Sequence, residues 1–150
     1  MSTGATYSFQ DVTCSIIGPG LALTLGSEAG AAEEGLDINP EGQKNTLTVG
    51  ADGSWMHSLR AGNPGTVNVH LLKTSNQNAL LMAAYNAQRV SSALWGKNVI
   101  TLVQTDSEDT IVCAGAAFGN PPNLTYATQG GTVTWTFQVG KLNEILGQYS

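Results

Sequence analysis

The sequence predicts a mainly β fold with one helix packed against it. Three observations carry this expectation. Several short segments alternate polar and apolar residues, the period-two pattern of a half-buried strand. Glycine-rich breaks separate them, with Gly 18 in 150 residues. One stretch, Asn78 to Val90, instead repeats at helical spacing, with Leu80, Ala83, Ala84, Ala87 and Val90 on one stripe.

In chain order, Tyr7 to Ile17 reads as a first strand. Phe9, Val12, Cys14 and Ile16 do not alternate cleanly, which predicts a bulge near Gln10-Asp11. Gly18-Pro19-Gly20 turns the chain, and Leu21 to Leu25 returns antiparallel. Gly26 to Gly35 is small, flexible and acidic, and is expected to be a long loop. Leu36 to Pro40 is a short extended piece and Thr46 to Val49 a strand. Ala51-Asp52-Gly53 is a tight turn into Trp55 to Leu59. Gly62-Asn63-Pro64-Gly65 then leads into the strand Thr66 to Leu72. Such short turns predict that these three strands are consecutive antiparallel neighbours.

Ser75 is placed to cap the helix by accepting from an orphan backbone N–H, and Gly96 to stop it. Asn98 to Gln104 is apolar on both faces, as a central strand is. Thr105 to Asp109 is an acidic turn, and Thr110 to Phe118 pairs back until Gly119-Asn120-Pro121-Pro122-Asn123 breaks the ladder. Thr132 to Val139 is the cleanest alternation in the chain: Val133, Trp135, Phe137 and Val139 against Thr132, Thr134, Thr136 and Gln138. Leu142, Ile145 and Leu146 are expected to dock as a terminal turn.

The length fits one domain, 1–150, with its own core. Charged residues make up 11% of the chain, against a norm of about 25%. Much of the surface is therefore uncharged polar, or covered by partners. The net charge of −5 and the lack of a basic cluster argue against binding nucleic acid through its phosphates. No secretory signal is recognisable at the start, and no apolar run approaches membrane-spanning length. Cys14 and Cys113 read as buried thiols in strands.

Catalytic signatures are absent. His57 and His70 lie in strands without a carboxylate or cysteine at metal-ligand spacing. There is no Gly-x-Ser-x-Gly elbow, phosphate loop or dinucleotide fingerprint. Asp106, Glu108 and Asp109 lack the spacing and glycine of a calcium loop. Trp55, Trp95 and Trp135 read as core and interface aromatics rather than a stacking platform. The expectation is a non-enzyme without cofactor or metal. The positive signal is the pair of uncharged polar strand faces, Thr66/Asn68/His70 and Thr132/Thr134/Thr136/Gln138. Such faces suit the lining of a water-filled bore, and equally the outside of an ordinary β-sandwich.

An ordered run of segments resembles the tail tube proteins of contractile-tailed bacteriophages. It comprises Leu36 to Pro40, Gly50 to Leu59, Gly65 to Ser75, Asn78 to Leu81, Asn120-Pro121-Pro122 and Thr134 to Phe137. The chain has Asn76-Gln77 where the family usually has a proline. These proteins are similar in fold to the haemolysin-coregulated protein of type VI secretion. The resemblance implies two packed antiparallel sheets in a β-barrel-like sandwich with one flanking helix. It implies hexameric rings stacked as a tube inside a contractile sheath, in the virion tail, after synthesis in the bacterial host cytoplasm. The expected partners are further copies of the chain and the tail sheath, baseplate and tail terminator proteins. DNA would pass without specific binding, eased by an acidic wall, and the chain would not enter a membrane. On this reading Thr66, Asn68 and His70 are candidates for the lumen. Glu28, Glu33 and Glu34, with Lys44, Arg60 or Lys73, are candidates for contacts between subunits or rings. A type VI-like tube protein and a monomeric ligand-binding β-sandwich are the alternatives.

Overall fold

The computed structural model describes Tyr7 and residues 11–26, 31–105 and 107–147, with the side chains of 25–26 and 31–34 left out. Among these residues the elements run β1 (Val12–Gly18), β2 (Leu21–Gly26), β3 (Ala31–Pro40), β4 (Asn45–Val49), β5 (Trp55–Leu59) and β6 (Gly65–Leu72). Then follow α1 (Gln77–Gln88), β7 (Asn98–Gln104), β8 (Asp109–Asn120) and β9 (Thr132–Ile145).

Seven strands form one antiparallel sheet in the order β2-β1-β7-β8-β9-β6-β3. The sheet curls until its two edge strands, β2 and β3, come into contact, and α1 packs against β2. No hydrogen-bonded ladder joins β2 to β3 among the described residues, so the barrel does not close. The two expected antiparallel sheets are present, the curled seven-stranded sheet and a two-stranded ribbon, β4-β5, but without the expected barrel-like closure.

The core lies inside the curl. Alternate residues of β6 (Val67, Val69, Leu71) and β9 (Val133, Trp135, Phe137, Val139) are buried, as the period-two pattern requires. Phe118 of β8 stands at the centre of an aromatic cluster, 4.7 Å from the Phe137 ring centroid, 5.9 Å from Trp135 and 5.6 Å from Tyr85. Edge-to-face and tilted arrangements of this kind add to simple burial. β7 lies inside the sheet between β1 and β8, as its two apolar faces predict.

Several boundaries differ from the sequence expectation. β1 begins at Val12, so the broken alternation falls before the strand; Gln10 is outside the described residues. Residues 31–35 are not loop but the start of β3. There the step from Ala31 to Leu36 faces only the step from Leu71 to Val69, a bulge that absorbs the surplus chain. Gly35, at φ 63, supplies the left-handed conformation inside it.

β5 does not pair with β6, because β9 and β3 already occupy both edges of β6. The link between them runs beside β9 instead, where Leu142 N–H donates to the Asn63 carbonyl at 2.8 Å. β9 itself continues through Ile145, replacing the expected terminal turn.

The helix also differs in its buried face. Leu81, Ala84 and Gln88 are buried; Leu80 and Val90 are exposed. The Ser75 hydroxyl accepts from Gln77 N–H at 3.3 Å, although the cap position itself is Asn76. The helix ends at Gln88, well before Gly96, whose φ of 76 serves the later turn into β7.

Candidate assembly faces

The two polar strand faces form one surface. β6 and β9 pair with Thr66 opposite Gln138, Asn68 opposite Thr136 and His70 opposite Thr134. β3 extends the face, with Asp37 opposite Asn68 and Asn39 opposite Thr66. Cross-strand hydrogen bonds tie it together. The Thr136 hydroxyl donates to Asn68 Oδ1 at 3.0 Å, and the Thr66 hydroxyl donates to the Glu41 carboxylate. His70 Nε2 lies 3.0 Å from Asp37 Oδ2, and His70 Nδ1 lies 3.1 Å from Thr134 Oγ1. A carboxylate only accepts, so in the neutral ring the proton sits on Nε2 and Nδ1 accepts from Thr134.

From Thr66 to His70 and from Thr134 to Gln138 the surface carries one imidazole, with the carboxylates of Asp37 and Glu41 beside it; past Gln138, β9 adds the exposed Lys141. At its end Asn120, Pro121, Pro122 and Asn123 face Thr132 and Thr134 across a groove of about 680 Å³. Every residue lining that groove is uncharged. Thr66, Asn68 and His70 are therefore brought onto one wet, weakly acidic wall.

The expected contact residues scatter. Glu28 lies outside the described residues, and Glu33 and Glu34 fall within the irregular start of β3. Lys44 turns inward on its own subunit. Its ammonium donates to the Arg60 carbonyl at 2.6 Å, the Gly62 carbonyl at 2.8 Å and Asn63 Oδ1 at 2.6 Å. These three contacts engage the three protons of the ammonium within the subunit. Arg60 is exposed at the base of the β4-β5 ribbon. Lys73 Nζ lies 3.8 Å from the Tyr126 ring centroid, a cation–π contact within the subunit.

The β4-β5 ribbon is a surface that the sequence reading did not single out. Its register places Leu47 opposite His57, Val49 opposite Trp55 and Asn45 opposite Leu59, so these six share one side. Every residue of both strands is exposed. The signal was the apolar alternation of Leu47 and Val49, which acquires meaning only once the two strands are paired. The tryptophans do not form a platform: Trp135 is in the core, Trp95 beside Tyr85, and Trp55 on the ribbon.

The two cysteines are free and buried. They lie on β1 and β8 with β7 between them, so about 9.6 Å of strand spacing separates their backbones. That exceeds the reach of a disulfide, about 7 Å between Cα atoms. Among the described residues no three His, Cys, Asp or Glu side chains are grouped to hold a metal ion, and no helix is long and apolar enough to cross a membrane.

A curled antiparallel sheet with two edges unpaired among the described residues, a polar wall and a bare apolar ribbon is the make-up of a structural subunit built to meet other chains. Residues 4–147 match the bacteriophage PhiTE tail tube protein family, and the chain belongs to that family. It is accordingly a phage structural protein of the virion tail, as the segment resemblance implied. No curated protein sequence matches it. Among solved structures it is similar to a chain in the tube-terminating cap of the anti-feeding prophage, with TM-score 0.54 and 12% identity over 100% of this chain and 97% of that one. A chain in the baseplate of the same particle gives TM-score 0.56 and 13% identity, covering 97% of each. At such identities the likeness establishes the fold alone.

Proposed function

We propose that the protein self-assembles into hexameric rings stacked as the inner tube of a contractile phage tail, a conduit for DNA. The single observation that carries this reading is the polar face that β6 and β9 share from Thr66 to His70 and from Thr134 to Gln138, flanked by the carboxylates of Asp37 and Glu41 and without lysine or arginine over that stretch. A wall of this chemistry stays hydrated and repels phosphates, so DNA slides past it without being held. On this reading Thr66, Asn68 and His70 face the lumen. The edges of β2 and β3, unpaired among the described residues, offer each subunit two places to continue its sheet into a neighbour. Glu33 and Glu34 meet Arg60 or Lys73 of adjacent subunits, weak pairs individually but repeated around each ring. Sheath, baseplate and terminator proteins cover the outside and the ends.

The test is electron microscopy of the purified protein across concentration and salt. Six-fold rings or tubes with an open bore are expected. A compact monomer at every concentration overturns the reading.

A further inference from the structure

We propose that the Asp52-Gly53 pair in the turn between β4 and β5 is a self-modification site, where the chain converts aspartate to isoaspartate, and that Ser54 is the residue that restrains it. The inference is independent of the tube reading.

The chain has one Asp-Gly pair and no Asn-Gly pair. Glycine after aspartate is what this reaction needs. Without a Cβ its amide nitrogen is unshielded, and the backbone turns freely to meet the preceding side chain. The Gly53 nitrogen attacks Cγ of the protonated Asp52 carboxyl. A C–N bond forms, the C–OH bond breaks, and the hydroxyl leaves with the amide proton as water. Water then reopens the five-membered succinimide. Addition at Cγ restores aspartate. Addition at the main-chain carbonyl breaks the original peptide bond and leaves the chain running through the side chain. One water leaves and one returns, so no further reactant is required. Asp52, Gly53 and Ser54 are all exposed, which gives water access. At Gly53 nothing lies within 4 Å of an added Cβ, so no neighbouring group blocks the approach.

The folded turn opposes both halves of the first step. Gly53 N–H donates to the Gly50 carbonyl at 3.1 Å, so the nucleophile is engaged. Asp52 Oδ1 accepts from the Ser54 hydroxyl at 2.6 Å and from Ser54 N–H at 3.1 Å. The hydroxyl first, and then the N–H, hold the Asp52 carboxyl below its ordinary value of 3.8. The ionised form has no hydroxyl to lose as water. Ser54 therefore keeps the electrophile in its unreactive state for as long as the turn is formed. Isoaspartate would add a carbon to the main chain between Asp52 and Gly53. The turn there is closed by the Gly53–Gly50 bond and by Gly50 N–H donating to the Ser54 carbonyl at 2.7 Å. Val49 pairs with Trp55 directly beyond it, so the modification disturbs the register of the ribbon.

The test ages the full chain in warm, mildly acidic solution under conditions that prevent assembly. Isoaspartate at position 52 is read by peptide mapping with electron-transfer fragmentation. Wild type unfolded in urea is expected to convert at least about tenfold faster than native wild type. Native Ser54→Ala should convert about three- to tenfold faster than native wild type, the weight of one hydrogen bond. In urea the two chains should convert equally, because the restraint belongs to the folded turn. Ser54→Thr, which keeps the hydroxyl, should remain slow. Equal rates for native Ser54→Ala and native wild type overturn the role of Ser54. Equal rates for native and unfolded wild type overturn the restraint as a whole, a comparison that stands even if the variant misfolds. An unfolded chain that forms no isoaspartate at position 52 overturns the site.

Discussion

Gln88 at the end of α1 and Asn98 at the start of β7 exchange two side-chain hydrogen bonds, each of 2.9 Å, and both residues are 0% exposed. Gln88 Nε2 also lies 3.2 Å from the Pro19 carbonyl in the β1-β2 turn. The pair clasps helix, turn and central strand at one point. It also explains why a glutamine occupies the buried face of the helix: its amide is satisfied there, so burial costs little.

Removing one partner leaves the other buried without its mate. Gln88→Ala or Asn98→Ala should each destabilise the unassembled protein by about 1–3 kcal/mol. A double-mutant cycle by denaturant unfolding should show the two losses to be strongly non-additive. Additive losses would show that the two amides act independently.

The two leucines of the helix separate burial from exposure. Leu81→Ala, at a fully buried position, should cost about 2–5 kcal/mol. Leu80→Ala, at a half-exposed position, should change unassembled stability by less than about 0.5 kcal/mol. Thermal melting under conditions that prevent assembly decides between them. Equal losses would mean that the helix is rotated from the orientation described.

The cysteines predict a pH dependence. Burial, and then the neighbouring Cys113, pushes the Cys14 thiol from 9.0 up to about 12; burial, and then Glu144, pushes Cys113 from 9.0 up to about 11. The fold therefore favours the neutral thiols. Their contribution to stability is complete below about pH 9, the unfolded value, and is lost as pH rises through the folded values. Native protein should resist thiol reagents at pH 8, and its melting temperature should fall as pH rises beyond 9. Rapid labelling of either thiol in folded protein would contradict the burial.

Gly115 is the hinge of a β8 bulge: the step from Asn98 to Ile100 on β7 faces the longer step from Ala116 to Cys113. Its φ is 64, with nothing within 4 Å of an added Cβ. Gly115→Ala should therefore cost only the backbone strain, about 1–2 kcal/mol in a melting experiment. No loss at all would mean that the bulge can move along the strand.

The polar wall gives a functional prediction. Asn68→Lys breaks the bond from Thr136, a loss of about 1 kcal/mol, and should leave the fold intact. On the tube reading it places a cation on the lumen in every subunit and should lower the efficiency of DNA delivery. A phage carrying Asn68→Lys that assembles tails and infects normally would place this face elsewhere.

Much of this protein was legible in its residues alone. Alternation located β6 and β9, because a strand half-buried on one side must repeat every second residue, and apolar residues on both faces located β7 as a central strand. Turn chemistry placed the β1-β2 hairpin and the Ala51-Asp52-Gly53 turn, where Gly53 takes φ 89 and Gly50 N–H donates to the Ser54 carbonyl at 2.7 Å. The ordered segments carried the family.

What tertiary structure decided were choices among faces and neighbours, which local pattern leaves open. α1 has apolar residues on two sides; pairing of Gln88 with Asn98 goes with Leu81 and Ala84 on the inner face and Leu80 outside. Residues 31–35 have no strand periodicity, yet the edge of β6 recruits them and a bulge takes up the excess. The three acceptors that meet the Lys44 ammonium come from residues 16 to 19 positions away, which only the folded chain brings together. The ribbon at Trp55 was correctly expected as two strands, but its isolation follows from β3 and β9 occupying both edges of β6. A strand's period is a property of its own residues; which edge it finds depends on competition with every other strand of the chain.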